Sequence, residues 1–562
     1  MAGTGRPASG SSFAADVTAA AAAAAAVVLV AAGCSDGVGT GGSGELRVLA
    51  GSELADMEPL LERAAEETGV TVAMEYTGTL DGVEQVVGGG TEGRYDAVWF
   101  SSNRYLNLYP EGRDALRQET PVMASPVVLG VGADKAGELG WEVSDGATVT
   151  GVSWADIAEA VDEGDLDYAM TGPAASNSGF SALVGVAAAL ADTGAALEPS
   201  DIEGVTGELR GFFAGQTLTA GSSGWLAEEY ADRVRDPGDR PAPDAMINYE
   251  SVLMSLEDDG VPGGLLPVHP TDGAVTADYP LSLLASASDG AAADYDALVG
   301  HLLSPEVQRE IADDTRRRPM EREALPEDAR GAFPELPELP FPATAESADA
   351  LIAAYYDRIR KPARTVYVLD VSSSMAGERI EGLRSAVHTL TGGDADSISG
   401  RFQRFYGRER VTVLPFSSTP QRPESFTVPE EDPDDVLASI RDHVDGLRPE
   451  GGTAGYDALD RAYTLLLKEY GDAEDTEDAF TSIVLMTDGE INEGMSYEDF
   501  AEAHADLPGE LQNVPVFPVV FGESDPEEME DLAALTGGRA FDAHGDDEAS
   551  LDEAFREIRG YQ

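Results

Sequence analysis

Lysine is almost missing from this chain. Only Lys135, Lys361 and Lys468 occur among 562 residues, so its 36 basic residues are nearly all arginine. None of the three follows a glycine in a Gly-Lys-Ser/Thr run, which excludes a phosphate-cradling nucleotidase loop. Cysteine is rarer still. With Cys34 alone, no disulfide forms within the chain, and the fold rests on its packed core. The six histidines (His269, His301, His388, His443, His504, His544) show no zinc spacing. Beyond residue 37 no Gly-x-Ser-x-Gly nucleophile elbow is present. Basic charge is so outnumbered, 36 against 104 acidic residues, that no face can neutralise phosphates, and nucleic acid is excluded as a partner. Beyond residue 34 no run is apolar enough to span a membrane.

A hydrophobic fraction of 42% and a charged fraction of 25% are those of globular proteins, and the length suits two or three domains. The net charge of −68 is not confined to a tail. From Arg364 onward there are 44 acidic and 15 basic residues, a net of −29, and the remaining −39 lies upstream. Such uniform acidity favours solubility at a cost in self-repulsion and reads as adaptation to salt. The alternative is a surface that attracts cations or basic partners.

The amino terminus reads as an export signal. Val17 to Ala32 is an alanine-rich apolar run of signal-peptide length, too short for a spanning helix. Ala31-Ala32-Gly33-Cys34 resembles the lipobox of bacterial lipoproteins, which implies cleavage before Cys34 and lipidation of its thiol. Residues 1–34 are thus expected to be the signal, and 35–44 a Gly/Ser/Asp tether. An uncleaved anchor and ordinary secretion are the alternatives. Each places the remaining chain on the extracytoplasmic side, touching the membrane through a lipid anchor at most.

From residue 45 to about 330, strands alternate with helices. Glu45–Ala50 (ELRVLA) reads as a strand, Asp56–Thr68 as an amphipathic helix, and Val70–Tyr76 and Tyr95–Phe100 as further strands. The alternation predicts a parallel sheet with helices on both faces. Small polar residues stand where strands should end. They include Gly51-Ser52-Glu53, Ser101-Ser102-Asn103, Ser176-Asn177-Ser178 before the helix Phe180–Ala191, and Asn248-Tyr249. Hydroxyls and backbone N–H groups at helix starts suit anions, and ligands of open sheets sit beyond the strands' carboxyl ends. The same residue types also cap helices and form turns.

These stretches, with Asp96–Phe100, Thr171–Gly179 and Asp278-Tyr279-Pro280-Leu281, resemble the extracellular solute-binding proteins of ABC-type importers. The resemblance implies two lobes around a hinge, the second spanning about residues 132–265, with a small solute between them. It makes Ser52, Ser101, Ser102, Asn103, Ser176, Asn177, Ser178, Asn248 and Tyr249 candidate ligand contacts. Pro326, Pro334, Pro337, Pro340 and Pro342 then suit an extended, semi-rigid linker. With a lead-in helix, Ser347–Ile359, residues 331–363 join the solute-binding-like domain (45–330) to a last domain (364–562).

In that last domain the apolar strand Thr365–Leu369 delivers Asp370-Val371-Ser372-Ser373-Ser374 and then a helix, Arg379–Thr391. Gly451-Gly452-Thr453 precedes a helix, Ala454–Tyr470, and Thr487-Asp488-Gly489 follows the strand Thr481–Met486. Further strands are read at Arg410–Phe416 and Val514–Phe521, a closing strand at Gly537–Phe541 and a last helix at Leu551–Ile558. The Asp-x-Ser-x-Ser run and the two later loops resemble the metal-ion-dependent adhesion site of von Willebrand factor A (VWA) domains. The resemblance implies a Rossmann-like doubly wound sheet, so the whole chain is expected to be α/β, a two-lobed region followed by the VWA domain.

A hard cation such as Mg²⁺, with Mn²⁺ and Ca²⁺ as alternatives, takes oxygen ligands and keeps some waters. Ser372 and Ser374 are expected to ligate directly and Thr453 directly or through water, while Asp370 and Asp488 hold waters and orient the serines. With few carboxylates on it, the ion stays electrophilic and suits a carboxylate from a partner protein. A haloacid-dehalogenase phosphatase would need a second aspartate where Ser372 stands. The expectation is therefore a surface-anchored binding protein rather than an enzyme, with an importer receptor as the alternative and a hydrolase a distant third.

Overall fold

The computed structural model describes residues 44–561, apart from 145–147, 236–239, 259, 322–324, 326–332, 394–396, 399, 473–478, 490, 523 and 544–547. The expected leader, Cys34 and nearly all of the tether lie outside the described residues.

The first lobe is a five-stranded sheet whose first strand in the chain, Glu45–Gly51, buries its apolar residues Leu46, Val48 and Leu49. This strand pairs in parallel with Thr71–Thr77 and Ala97–Trp99. The sheet is nevertheless mixed rather than all parallel, because Pro280–Leu284 returns antiparallel against Ala97–Trp99 and Leu116–Pro121. The returning chain comes back from the second lobe and enters from the opposite end. The helix expected from Asp56 begins as a 3-10 turn, Ser52–Met57, and becomes α-helical at Glu58–Thr68. Pro59 is tolerated in its first turn because no N–H partner exists there, and Gly69 ends it at φ 76°.

The second lobe is built on the nine-residue strand Met123–Val131. Ala245–Tyr249, Leu266–Pro267, Val275–Ala277 and Arg318–Pro319 all pair antiparallel with it. Tyr168–Thr171 and Gln216–Ala220 extend the sheet in parallel. The lobe therefore runs from Met123 to Ala277, beyond the expected 132–265 at both ends, since its longest strand starts at the crossing itself. Two adjacent arginines clasp the lobes. Arg317 donates to Asp56 (2.6 Å) and to the Glu53 carbonyl (2.7 Å) in the first lobe. Arg318 donates twice to buried Glu250 (2.6 and 2.7 Å) in the second.

The proline-rich stretch lies against both lobes. Glu338 bridges to Ala274, Leu339 is buried, and Phe341 meets the Phe180 ring edge-on at 5.6 Å. Arg104 of the first lobe pairs with Glu338 at 2.5 Å. The lead-in helix, Ala345–Ala354, is capped by the Thr344 hydroxyl and ends in a π turn, Tyr355–Ile359.

The last domain has a six-stranded sheet in the order Glu424–Thr427, Arg410–Phe416, Ala363–Asp370, Phe480–Thr487, Val516–Val520, Phe541–Asp542. All pairings are parallel except that of the edge strand Glu424–Thr427, which the sequence reading missed. Burial on both faces explains its continuous apolar strands. Val366 and Val368 pack with the helix Gly455–Asp472, and Tyr367 and Leu369 with the helices Glu378–His388 and Glu548–Arg559.

Gly42 to Gln562 form one compact unit, in which the last domain packs on the second lobe. Glu409, 1% exposed, accepts from Arg360 and from Arg559 (2.8 Å). The Tyr356 ring stacks on Tyr406 at 5.0 Å, and its hydroxyl accepts from the Ala174 N–H at 3.3 Å. A Cβ on Gly560 would fall 2.7 Å from that of Ala175, and one on Gly221 2.5 Å from the Tyr561 ring, so the closing turn of the chain needs both glycines.

Candidate metal centre and solute cleft

The six-stranded order reverses between Ala363–Asp370 and Phe480–Thr487, and ligands of doubly wound sheets bind outside the carboxyl ends at that reversal. Asp370 ends one of these strands and Asp488 follows the other. Asp370 accepts from the Ser372 N–H (2.6 Å) and from the Thr487 hydroxyl (2.8 Å). Burial pushes its carboxyl up to about 6, against the pull of those hydrogen bonds. Ser372 Oγ lies 2.9 Å from Ser374 Oγ, which donates to Asp488 at 2.8 Å. Asp370, Ser372, Ser374 and Asp488 are thus one hydrogen-bonded run across two loops.

The third loop is tied in through its backbone. The Ser373 N–H donates to the Gly451 carbonyl (3.1 Å), and Asn492 Oδ1 accepts from the Thr453 N–H (3.2 Å). Thr453 itself is 3% exposed. Two features escaped the sequence reading. Arg379 Nη1 donates to Asp488 Oδ2 at 2.6 Å, and the Glu493 carboxylate sits where a Cβ on Gly452 would fall, at 2.6 Å. Position was the only available signal for Arg379, five residues after Ser374. Two carboxylates and three hydroxyls make an oxygen donor set that fits a hard cation. Among the described residues no three His, Cys, Asp or Glu side chains converge on one position.

The nine cleft candidates do not act alike. Asn177 and Tyr249 meet in the second lobe, where Asn177 Nδ2 donates to the Tyr249 hydroxyl at 3.2 Å, and buried Ser101 accepts the Tyr279 N–H on its carbonyl at 2.9 Å. Ser176 and Ser178 are engaged with each other and with Ser223, and Ser178 also with Thr171. Asn103 donates to Glu119 and Ser282, both at 2.8 Å. Asn248 bonds the Tyr249 N–H and the Ser223 carbonyl. Ser102 turns back on Arg104, and Ser52 is exposed at the start of its 3-10 turn. Of these six, all but Ser52 brace the strand ends. Two further residues lie beside them, Tyr279 with its ring 6.0 Å from that of Tyr249 and Arg317 at 4.8 Å over the Tyr279 ring.

Residues 46–314 match the family model described as bacterial extracellular solute-binding protein, and residues 366–557 that of the von Willebrand factor type A domain. Among solved structures, the apo ferric ion-binding protein A of Pasteurella haemolytica is 14% identical, covering 56% of this chain and 97% of its own, with a TM-score of 0.42. The sulfate-binding protein SubI from Mycobacterium tuberculosis is 18% identical over 54% of this chain and 98% of its own, with a TM-score of 0.40. A von Willebrand factor type A protein from Catenulispora acidiphila is 19% identical over 36% of this chain and 43% of its own, with a TM-score of 0.27. No curated protein matches the chain. The protein has a two-domain α/β architecture, a solute-binding-protein-like fold followed by a VWA fold.

Proposed function

We propose that this is an extracytoplasmic, lipid-anchored binding protein, not an enzyme. Its VWA domain grips a partner protein through a divalent cation, and its first domain recognises a small solute. The observation that carries the metal reading is the run Asp370–Ser372–Ser374–Asp488 at the sheet's reversal, with Thr453 on the adjoining loop. Mg²⁺, or Mn²⁺ or Ca²⁺, would be held by Ser372, Ser374 and Thr453, with Asp370 and Asp488 orienting hydroxyls and waters. The ion would supply a Lewis-acidic seat for a partner's carboxylate.

Among the described residues no helix is long and apolar enough to cross a membrane, which is compatible with attachment at Cys34. A second reading, a receptor that feeds an ABC-type importer, is favoured by the two clasped lobes.

The test is calorimetry of the full chain with Mg²⁺ at fixed salt, wild type against a Ser372→Ala, Ser374→Ala double variant. Binding lost in the variant supports the adhesion site. A folded wild type that takes no Mg²⁺ would sink the metal reading.

A further inference from the structure

Where the second lobe meets the VWA domain, the two enclose a cavity of about 270 Å³. Its second-lobe wall comes from the strand Gln216–Ala220, the helix Ser223–Arg235 and the loop at Arg240. Its VWA wall comes from the start of the strand Phe480–Thr487 and from Val514, Pro515 and Phe517. The metal loops lie at the other end of that eight-residue strand, roughly 23 Å away at the rise of an extended chain. Among the described residues no part of the first lobe lines the cavity, so it is distinct from the solute cleft as well.

Arg240 gives this cavity its chemistry. Its Nη1 is buried and has no hydrogen-bond partner among the described residues. The guanidinium reaches across the interface, where Nη1 occupies the space that a Cβ on Gly537 of the VWA domain would take. A desolvated cationic donor left unmet costs stability, and it calls for a ligand, ion or water to complete it. The rest of the wall does not supply one. Arg233, a second cation, is already held by Glu229 at 2.7 Å. Glu510, the only acidic residue of the described lining, is exposed. The Arg240 charge is felt inside the VWA domain too. His504 is 5% exposed, and burial, then Arg240, holds it below its ordinary range. The remaining wall is largely apolar, with Leu218 and Trp225 on one side and Pro515 and Phe517 on the other. The Trp225 ring is fixed edge-on to Tyr561 at 5.0 Å.

We propose that this cavity binds a small organic anion, its carboxylate or phosphate on Arg240 and its apolar body against Trp225, Leu218 and Phe517. The volume suits one ring with an acidic group rather than a larger ligand. A guanidinium offers either anion a planar fork of donors. Because each domain supplies part of the wall, an occupied cavity favours the docked arrangement.

The experiment is calorimetry of the full chain at fixed ionic strength and neutral pH. The probes are benzoate and phenyl phosphate, with acetate and inorganic phosphate as their controls. At least one aromatic anion is expected to bind, tenfold or more tighter than its control. Arg240→Gln should weaken it tenfold or more. Without ligand, the circular-dichroism melt of that variant should stay at or above that of wild type, since a cation lacking a partner has been removed. Trp225→Phe, which keeps an apolar ring, should weaken binding less and abolish the accompanying change in tryptophan fluorescence. Binding of benzoate alone names a carboxylate, and of phenyl phosphate alone a phosphoryl group. A probe that binds Arg240→Gln as tightly as wild type overturns the proposal, as does a control that binds as tightly as its aromatic counterpart. A ligand-free Arg240→Gln chain that melts well below wild type overturns it too, because the guanidinium would then already have its counter-charge. Silence from every probe in a folded chain has the same consequence.

Discussion

Glu409 is the most exacting test of how the domains are held together. It lies one residue before the strand Arg410–Phe416 and is 1% exposed. Its carboxylate accepts from Arg360, at the end of the lead-in helix, and from Arg559, near the end of the chain. Both arginine side chains are nearly as buried, at 2% and 4%. Replacing Glu409 with Gln keeps the volume but leaves two buried guanidinium groups without a counter-charge. A hydrogen bond to a charged group contributes about 1.5–3 kcal/mol, and breaking a buried pair costs about 3–5 kcal/mol. We expect Glu409→Gln to cost about 3–5 kcal/mol. At about 2–4 °C per kcal/mol for a domain of this size, the melt should fall by roughly 6–20 °C. The assay is a thermal melt followed by circular dichroism at constant salt. Arg360→Met with Glu409→Leu and Arg559→Met, which removes the whole charge set, should recover much of the loss. A single variant that melts within about 2 °C of wild type would refute the argument, because it would mean that water reaches these charges.

Three further outcomes are expected. Leu485→Ala, in the central strand and fully buried, should cost about 2–5 kcal/mol in chemical denaturation without altering the cleft. Arg379→Gln should tighten Mg²⁺ binding about threefold to tenfold in calorimetry by removing a positive charge from Asp488, and the gain should shrink at high salt. Asp349→Ala should lower stability by about 1–2 kcal/mol, since Tyr105 (2.6 Å) and Arg401 (2.5 Å) both donate to that largely buried carboxylate.

The metal loops were legible because each is a short, contiguous run whose spacing the chemistry fixes, and because a buried strand announces itself by composition. The lobes were less so. Whether Pro280–Leu284 runs with or against Ala97–Trp99 depends on where the chain recrosses the hinge, and no local pattern encodes that. The cleft was harder still. Serines and asparagines at strand ends look alike whether they brace a loop or face a ligand. Tyr279 gave a poor signal, since it stands at φ 41° and the proline after it disfavours only the right-handed region. In the proline-rich stretch, Leu339 and Phe341 were the overlooked hint. Apolar residues between prolines argue for a strap laid on a surface, which is what the chain forms.

The packing also limits how the two domains can speak to each other. The VWA domain sits on the second lobe through Gly560 and Tyr561, and the lead-in segment ties the two through Tyr356 on Ala174 and Arg360 on Glu409, so those parts move together. The first lobe is joined to them by the hinge strands, the Arg317–Arg318 clasp and the strap contacts of Arg104 and Tyr105. Opening the cleft must therefore carry Tyr105 away from Asp349, the carboxylate that Arg401 of the VWA domain also holds. Tyr105 follows the cleft residues Ser101, Ser102 and Asn103 by only a few positions, so solute and VWA domain meet at this one carboxylate. A contact of about 1–2 kcal/mol can pass on no more than its own free energy, which bounds any solute effect on partner affinity to about thirtyfold. A larger coupling would require the second lobe and the VWA domain to separate, and the packing of Tyr561 on Trp225 and Gly221 opposes that.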